Sequence, residues 1–124
     1  MKISLENQVA VVTGGSRGIG AATVKLFAEA GCNVVFSYLK AAGAAKEVVK
    51  ACGQAPGAVL AVRADVSKMA DAQKLVGTAL RRFGRLDILV ANAGIWNADP
   101  ASIEGMTERQ WDRMVAVNLK GVYS

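Results

Sequence analysis

Thr13-Gly14-Gly15-Ser16-Arg17-Gly18-Ile19-Gly20 is the stretch whose reading decides the fold. It follows a short β-branched run, Gln-Val-Ala-Val-Val-Thr at residues 8–13, which reads as a buried strand. It leads into a helical stripe over residues 17–30, with Ile19, Thr23, Leu26, Phe27 and Ala30 as its apolar positions. Gly31 stands where a helix-ending glycine belongs. Glycines between a strand and a helix permit a tight turn, close approach of a ligand to the backbone, and tight packing of helix on strand. The helix start adds free N–H groups and a positive dipole end, which suit a pyrophosphate. The plainer reading is a glycine-rich turn without a ligand. A P-loop is excluded, because Gly15-x-x-x-x-Gly20 is followed by Ala21 rather than lysine.

Strand and helix patterns alternate outward from this loop. Residues 33–38 form a second strand. Ala44, Ala45, Val48, Val49 and Cys52 mark a second helix, ended by Gly53, and residues 53–57 form a turn around Pro56. Residues 58–63 form a third strand. Ser67 is the expected N-cap of a third helix, whose inner face reads Met69, Ala72, Val76, Ala79, Leu80 and Phe83. Asp71 in its first turn and Arg81-Arg82 in its last match the helix dipole, and Gly84 closes it. Residues 86–91 form a fourth strand, expected to be covered on both faces. A loop over 92–106 follows, with Trp96, Pro100 and Gly105. Thr107-Glu108-Arg109-Gln110 is then a capping box, with Met106 and Trp111 as a candidate hydrophobic staple. The last helix carries Trp111, Met114, Val115, Asn118, Leu119 and Val122 on one side, a stripe expected to be mostly core.

This order implies right-handed parallel crossovers. The expected fold is α/β, a Rossmann-like doubly wound parallel sheet of four strands in the order 3-2-1-4. The expected domain is one dinucleotide-binding unit over residues 1–124. The helical pattern runs to Ser124 with no stop signal, and a buried-type strand is left at an edge, so a further strand is expected beyond it.

Composition excludes several function classes. The chain has 124 residues, two cysteines and no histidine. A Cys/His zinc site and Ser-His or Cys-His nucleophile pairs are ruled out, and no metal site is expected. Two free cysteines at 32 and 52 fit a reducing compartment. Glu6 interrupts the N-terminus before any apolar signal segment, and no apolar run approaches the ~20 residues that span a bilayer. The expected location is cytoplasmic, with no membrane partner. Fifteen basic and ten acidic residues give +5, which suits an anionic ligand without identifying one. Arg81, Arg82 and Arg85 read as cations at a helix C-terminus, and aromatics at 6% offer little for base stacking, so no nucleic acid is expected.

The end of the second strand bears on which dinucleotide fits. An acid there would hold a free ribose 2′-hydroxyl. No Asp or Glu lies between Gly31 and Lys46. Ser37, Tyr38 and Lys40 occupy the region instead, and Arg17 projects from the glycine loop. A hydroxyl and two cations would hold a 2′-phosphate, which favours NADP over NAD. The plainer reading makes Arg17 and Lys40 solvated surface charges.

Three further features narrow the fold to a family. They are Asp65-Val66 after the third strand, Asn92-Ala93-Gly94 after the fourth, and Asn118 within Val115-Ala116-Val117-Asn118-Leu119-Lys120-Gly121. Together with Thr13-Gly14-x-x-x-Gly18-x-Gly20, these resemble the short-chain dehydrogenase/reductase family, nearest to its 3-oxoacyl-carrier-protein reductase and sugar or alcohol dehydrogenase members. The resemblance covers essentially the whole chain.

The resemblance implies that Gly14, Ser16, Arg17, Gly18, Ile19 and Gly20 surround the pyrophosphate and adenosine ribose. It implies that Asp65 accepts from the adenine amino group beside Val66, and that Asn92, Ala93 and Gly94 pass the cofactor ribose. Thr13 and Asn92 would tie neighbouring strand ends. Asn118 matches the active-site asparagine whose backbone positions a water in a proton relay. The plainer readings are a loop carboxylate for Asp65, a turn residue for Asn92, and a polar residue bonding its own helix for Asn118. Asp87 reads as structural.

The family's chemistry also uses a serine and a Tyr-x-x-x-Lys pair. Tyr38 and Tyr123 are the only tyrosines, and neither begins such a pair. The implied activity is hydride transfer between a nicotinamide cofactor and a small carbonyl or alcohol, by a homodimer or homotetramer. The 124 residues alone are expected to be inactive. The alternative is a noncatalytic NADP-binding module. Trp96 and Asn97 could reach a substrate or form a surface excursion.

Overall fold

The computed structural model describes residues 2–96 and 102–124. Asn97 and Pro100 lie outside the described residues. The elements are β1 (Val9–Val12), α1 (Gly18–Glu29), β2 (Asn33–Tyr38), α2 (Ala42–Ala51), β3 (Val59–Arg63), α3 (Met69–Phe83) and β4 (Ile88–Val90). A 3₁₀ turn (Ile103–Gly105), α4 (Glu108–Val115), a π-type turn (Ala116–Lys120) and α5 (Gly121–Tyr123) follow.

The sheet has four parallel strands in the order β3-β2-β1-β4. All four β1 residues are buried, as a central parallel strand requires. Side chains alternate between faces along each strand. Ala10, Val12, Val34 and Phe36 pack on one face against Ala21, Val24 and Ala28 of α1 and Ala45 and Val48 of α2. Val9, Val11 and Val35 pack on the other against Leu75 and Ala79 of α3. β1 and β2 are thus covered on both sides.

The expected termini hold at several helices. Gly31 takes φ +93° after α1, and Gly84 takes φ +77° after α3, a region where a side chain would be strained. The Thr107 capping box forms: the Thr107 hydroxyl accepts from the Gln110 N–H, and Gln110 Oε1 accepts from the Thr107 N–H.

Five expectations are corrected. In α1 the buried residues are Gly20, Ala21, Val24 and Ala28, while Ile19 and Leu26 are 79% and 64% exposed. The helix lies too close to the sheet for large side chains, so small residues face inward. In α3, Leu75 joins Ala72 and Ala79 inside, and Met69 and Leu80 are exposed. Ser67 is not the α3 cap. Its hydroxyl donates to Asp65 instead, and Lys68 holds the cap position with no side-chain bond. In β4 only Ile88 and Val90 pack on the core; Leu89 is 58% exposed because α3 covers β1 and β2 and β4 is an edge. The stripe on the last helix is mostly exposed as well: Trp111, Val115, Leu119 and Val122. Val117 is the buried residue there, and the main neighbours of α4 are its own continuation.

Asp87 is structural. It accepts from the Val9 N–H at 2.8 Å and forms a two-pronged pair with Arg85, tying the β4 entrance to β1. Both cysteines are free and buried; burial pushes the Cys32 thiol up to about 11 and raises Cys52 too. Among the described residues no helix is long and apolar enough to cross a membrane.

Candidate dinucleotide site

The β1–α1 loop is held from beneath by β2. The Gly14 N–H donates to Ser37 Oγ at 3.1 Å, and the Gly15 N–H donates to the Ser37 carbonyl at 2.9 Å. Ser37 is therefore 2% exposed and its hydroxyl oxygen is engaged with the loop. Gly20 is where α1 meets the loop. A Cβ on Gly20 would fall 2.1 Å from the Gly14 carbonyl oxygen and 2.7 Å from Asn92 Nδ2. Gly18 takes φ +58° with open space around its missing Cβ, so there the requirement is conformation rather than room.

On the other side, Thr13 and Asn92 join the ends of β1 and β4. The Thr13 hydroxyl accepts from the N–H groups of Asn92 (3.0 Å) and Ala93 (2.9 Å). Asn92 Nδ2 donates back to the carbonyls of Thr13 and Gly14. Asn92 is thus more than a turn residue. Its side chain spans the point where chain order reverses, between β1 and β4, and open α/β sheets bind ligands at such points.

Asp65 follows β3. Its Oδ1 accepts from the Ser67 N–H (3.0 Å) and hydroxyl (2.6 Å), and its Oδ2 lies 3.5 Å from Arg113 Nη1 on α4. Burial opposes its charge, but the two Ser67 donors and the Arg113 guanidinium outweigh it and hold the carboxyl below the ordinary range. Asn118 lies within the π-type turn. Its Oδ1 accepts from the Ile95 N–H at 2.8 Å and its Nδ2 donates to the Ile95 carbonyl at 2.9 Å. The side chain bonds the loop after β4, not its own helix.

These parts enclose a cleft of about 770 Å³ at the C-terminal ends of all four strands. Eleven of the expected residues line it: Gly14, Ser16, Arg17, Ser37, Tyr38, Lys40, Asp65, Val66, Asn92, Ala93 and Gly94. Gly18 and Ile19 stand at the start of α1, outside the lining, and Gly20 is buried under the loop. Asn118 reaches the cleft only through Ile95. Sequence reading missed Leu39, Ala41, Ala64, Ile95, Arg113 and Val117. Leu39 and Ala41 flank Lys40 and could have been found from it; nothing local marks Arg113. The lining carries Arg17, Lys40 and Arg113 against Asp65 alone. No carboxylate stands at the end of β2. The cleft sets three cations against one carboxylate, a balance that suits an anionic ligand.

The family model described as short chain dehydrogenase matches residues 8–124. The chain belongs to that family. An uncharacterised oxidoreductase of Methylorubrum extorquens is 47% identical over 118 residues, covering 95% of this chain and 47% of that protein. A 3-ketoacyl-(acyl-carrier-protein) reductase from Brucella melitensis, solved in complex with NADH, is 42% identical with a TM-score of 0.88, over 97% of this chain and 47% of that one. A short-chain dehydrogenase from Burkholderia cenocepacia, solved in complex with NADP, is 38% identical with a TM-score of 0.90, over 96% of this chain and 48% of that one. The chain spans about half the length of the curated relatives it matches.

Proposed function

We propose that this chain is the cofactor-binding part of an oxidoreductase that uses NADP in preference to NAD. The observation that carries it is the cleft at the strand ends, lined by Gly14, Ser16 and Arg17 of the glycine loop and by Lys40 beyond β2, with no carboxylate at the end of β2 to oppose a 2′-phosphate. The residues present fit such a group: the cleft lining sets Arg17, Lys40 and Arg113 against Asp65 alone, which suits an anionic dinucleotide. Gly14, Ser16, Arg17, Gly18, Ile19 and Gly20 bind the pyrophosphate and ribose. Ser37 holds the loop, Tyr38 and Lys40 bound the 2′ position, Asp65 and Val66 receive the base, and Asn92, Ala93 and Gly94 pass the second ribose.

When bound, a nicotinamide would give a hydride to the carbon of a small carbonyl or take one from that of an alcohol. Asn118 contributes through its backbone, which positions a water for proton transfer; its side-chain polar atoms are both committed to Ile95. The 124 residues hold no Tyr-x-x-x-Lys, so we propose binding without turnover for this chain taken alone. Two buried free thiols support action in the cytoplasm. A homodimer or homotetramer is also proposed, with a second copy seated on Trp111 and Leu119, both exposed.

The test is fluorescence titration with NADPH and NADH. NADPH binds more tightly, and Tyr38→Asp reverses the order by placing a carboxylate at the end of β2. Equal affinity, or no effect of Tyr38→Asp, overturns the NADP preference. Absence of binding to both overturns the dinucleotide reading.

A further inference from the structure

Leu39, Lys40 and Ala41 join β2 to α2, and all of them line the cleft. The connection holds none of the residues that fix a turn locally: no glycine, proline, asparagine, aspartate or serine. Ala41 stands at the N-cap of α2 and has no side-chain bond to give. The hold comes from the neighbouring strand instead. The Ala64 N–H donates to the Tyr38 carbonyl at 2.9 Å, and Arg63 Nε donates to the Leu39 carbonyl at 3.1 Å, across 24 residues of sequence. Arg63 is the β3 residue in register with Tyr38, and it stands outside the cleft lining. Among the described residues its guanidinium forms no ion pair. The charged side chain that approaches it is another cation, Lys74, whose Nζ lies 3.5 Å from the Arg63 carbonyl. The Leu39 carbonyl is therefore what directs the guanidinium.

We infer that Arg63 is a positioning residue, which clamps the Leu39–Lys40 peptide and so makes Lys40 selective for a ligand with a phosphate at the ribose 2′ position. A trans peptide points its C=O and N–H in opposite directions. With the Leu39 carbonyl turned to Arg63, outside the cleft, the Lys40 N–H is turned to the other side. No group among the described residues accepts from that N–H. A lysine ammonium is a point charge on a flexible four-carbon stem. Fixing the backbone beneath it narrows the range of that charge and sets a second donor beside it. The gain falls on the phosphate, because a 2′-hydroxyl is neutral and has little to lose when the clamp is removed.

The bond is a poor candidate for stability. Arg63 is exposed, and its partner is a carbonyl at the surface, so its removal leaves no buried group unpaired.

The inference rests on the proposed NADP reading. The experiment is calorimetric titration of the 124-residue protein with adenosine 2′,5′-bisphosphate and with adenosine 5′-monophosphate, which differ by the 2′-phosphate. It is run at about 0.15 M salt, where distant exposed charges are screened. Two variants separate position from charge. Arg63→Gln places an N–H donor where Nε stood and removes the charge; Arg63→Met removes both. Circular dichroism checks folding, and Arg63→Ala is the donor-free variant if Arg63→Met fails to fold. The native protein prefers the bisphosphate. The donor-free variant narrows that preference about fivefold, the worth of one ordinary hydrogen bond, and Arg63→Gln stays within about twofold of native. If Arg63→Gln falls to the level of the donor-free variant, charge rather than position is at work and the inference is overturned. A donor-free variant that keeps the native ratio, whether both ligands weaken alike or neither does, overturns it too and leaves the NADP reading standing. A native protein without preference overturns the NADP reading and the inference with it. Binding of neither ligand overturns the dinucleotide reading itself.

Discussion

The Thr13 hydroxyl accepts two backbone hydrogen bonds from the chain 79 and 80 residues further on, and Asn92 returns two from its side chain. This mutual hold fixes how far apart the ends of β1 and β4 sit, and therefore the width of the cleft between them. Thr13→Val keeps the shape and removes the acceptor, leaving two part-buried N–H groups without a partner. The expected loss is about 2 kcal/mol, measured by urea denaturation, while Thr13→Ser retains most of the stability.

Gly20→Ala places a methyl against the Gly14 carbonyl and Asn92 Nδ2. Both neighbours are fixed, so α1 must move off the loop. The expected cost is about 3 kcal/mol. Nucleotide affinity falls with it, as read by titration with NADPH. Gly43→Ala, with nothing within 4 Å of the added Cβ, serves as the control with native-like affinity.

Acid weakens the fold through two carboxylates. Arg85 and the Val9 N–H hold Asp87 below its ordinary 3.8, and Asp65 is held below the same value by donors that outweigh its burial. A depressed folded pKa means a contribution that is present in full above about 3.8 and lost as pH falls through the folded value. Stability from these groups is therefore flat from pH 7 down to about 5 and declines below about 4. Asp87→Asn flattens that decline in denaturation midpoints collected across pH.

Two leucines at equal chemistry test the edge assignment. Leu75, on the sheet-facing side of α3, is 2% exposed, and Leu75→Ala costs about 3 kcal/mol. Leu89 is 58% exposed on β4, and Leu89→Thr costs under about 1 kcal/mol. Leu89→Thr also lowers self-association in light scattering, since it takes an apolar side chain off a free sheet edge.

Asp65, Val66, Asn92, Ala93 and Gly94 came from the family resemblance, while the pattern of β-branched runs and glycines made the alternation of strands and helices, β2 to the residue, and the glycine loop legible. Those features are local: a strand alternates every two residues, and a turn needs glycine where φ is positive. The inward face of α1 was not legible, because hydrophobic size marks a core only where there is room for it. Ile19 and Leu26 are large and point out; Gly20 and Ala28 are small and point in. Ser67 was misread because a hydroxyl before a helix has two possible partners, the helix N–H groups or the Asp65 carboxylate, and only the loop's path decides. Leu89 and the last helix were misjudged because apolar periodicity records that a face seeks cover without saying which segment supplies it. Arg113 was missed because its partner is 48 residues away and no spacing links them.

The pairing of β4 with β1 also orders events in time. β1 and β2 lie 24 residues apart in register, whereas Val11 finds Leu89 78 residues downstream. Loops of that length close late, after the shorter β1–α1–β2 crossover has formed. The Thr13–Asn92 junction is thus completed after the β1–β2 unit has formed, and the floor of the cleft comes into being with it. A dinucleotide added to refolding protein would find no place to dock until β4 had arrived. Its binding would then act as a ratchet on that step, slowing the peeling of β4 and leaving the speed of earlier collapse untouched.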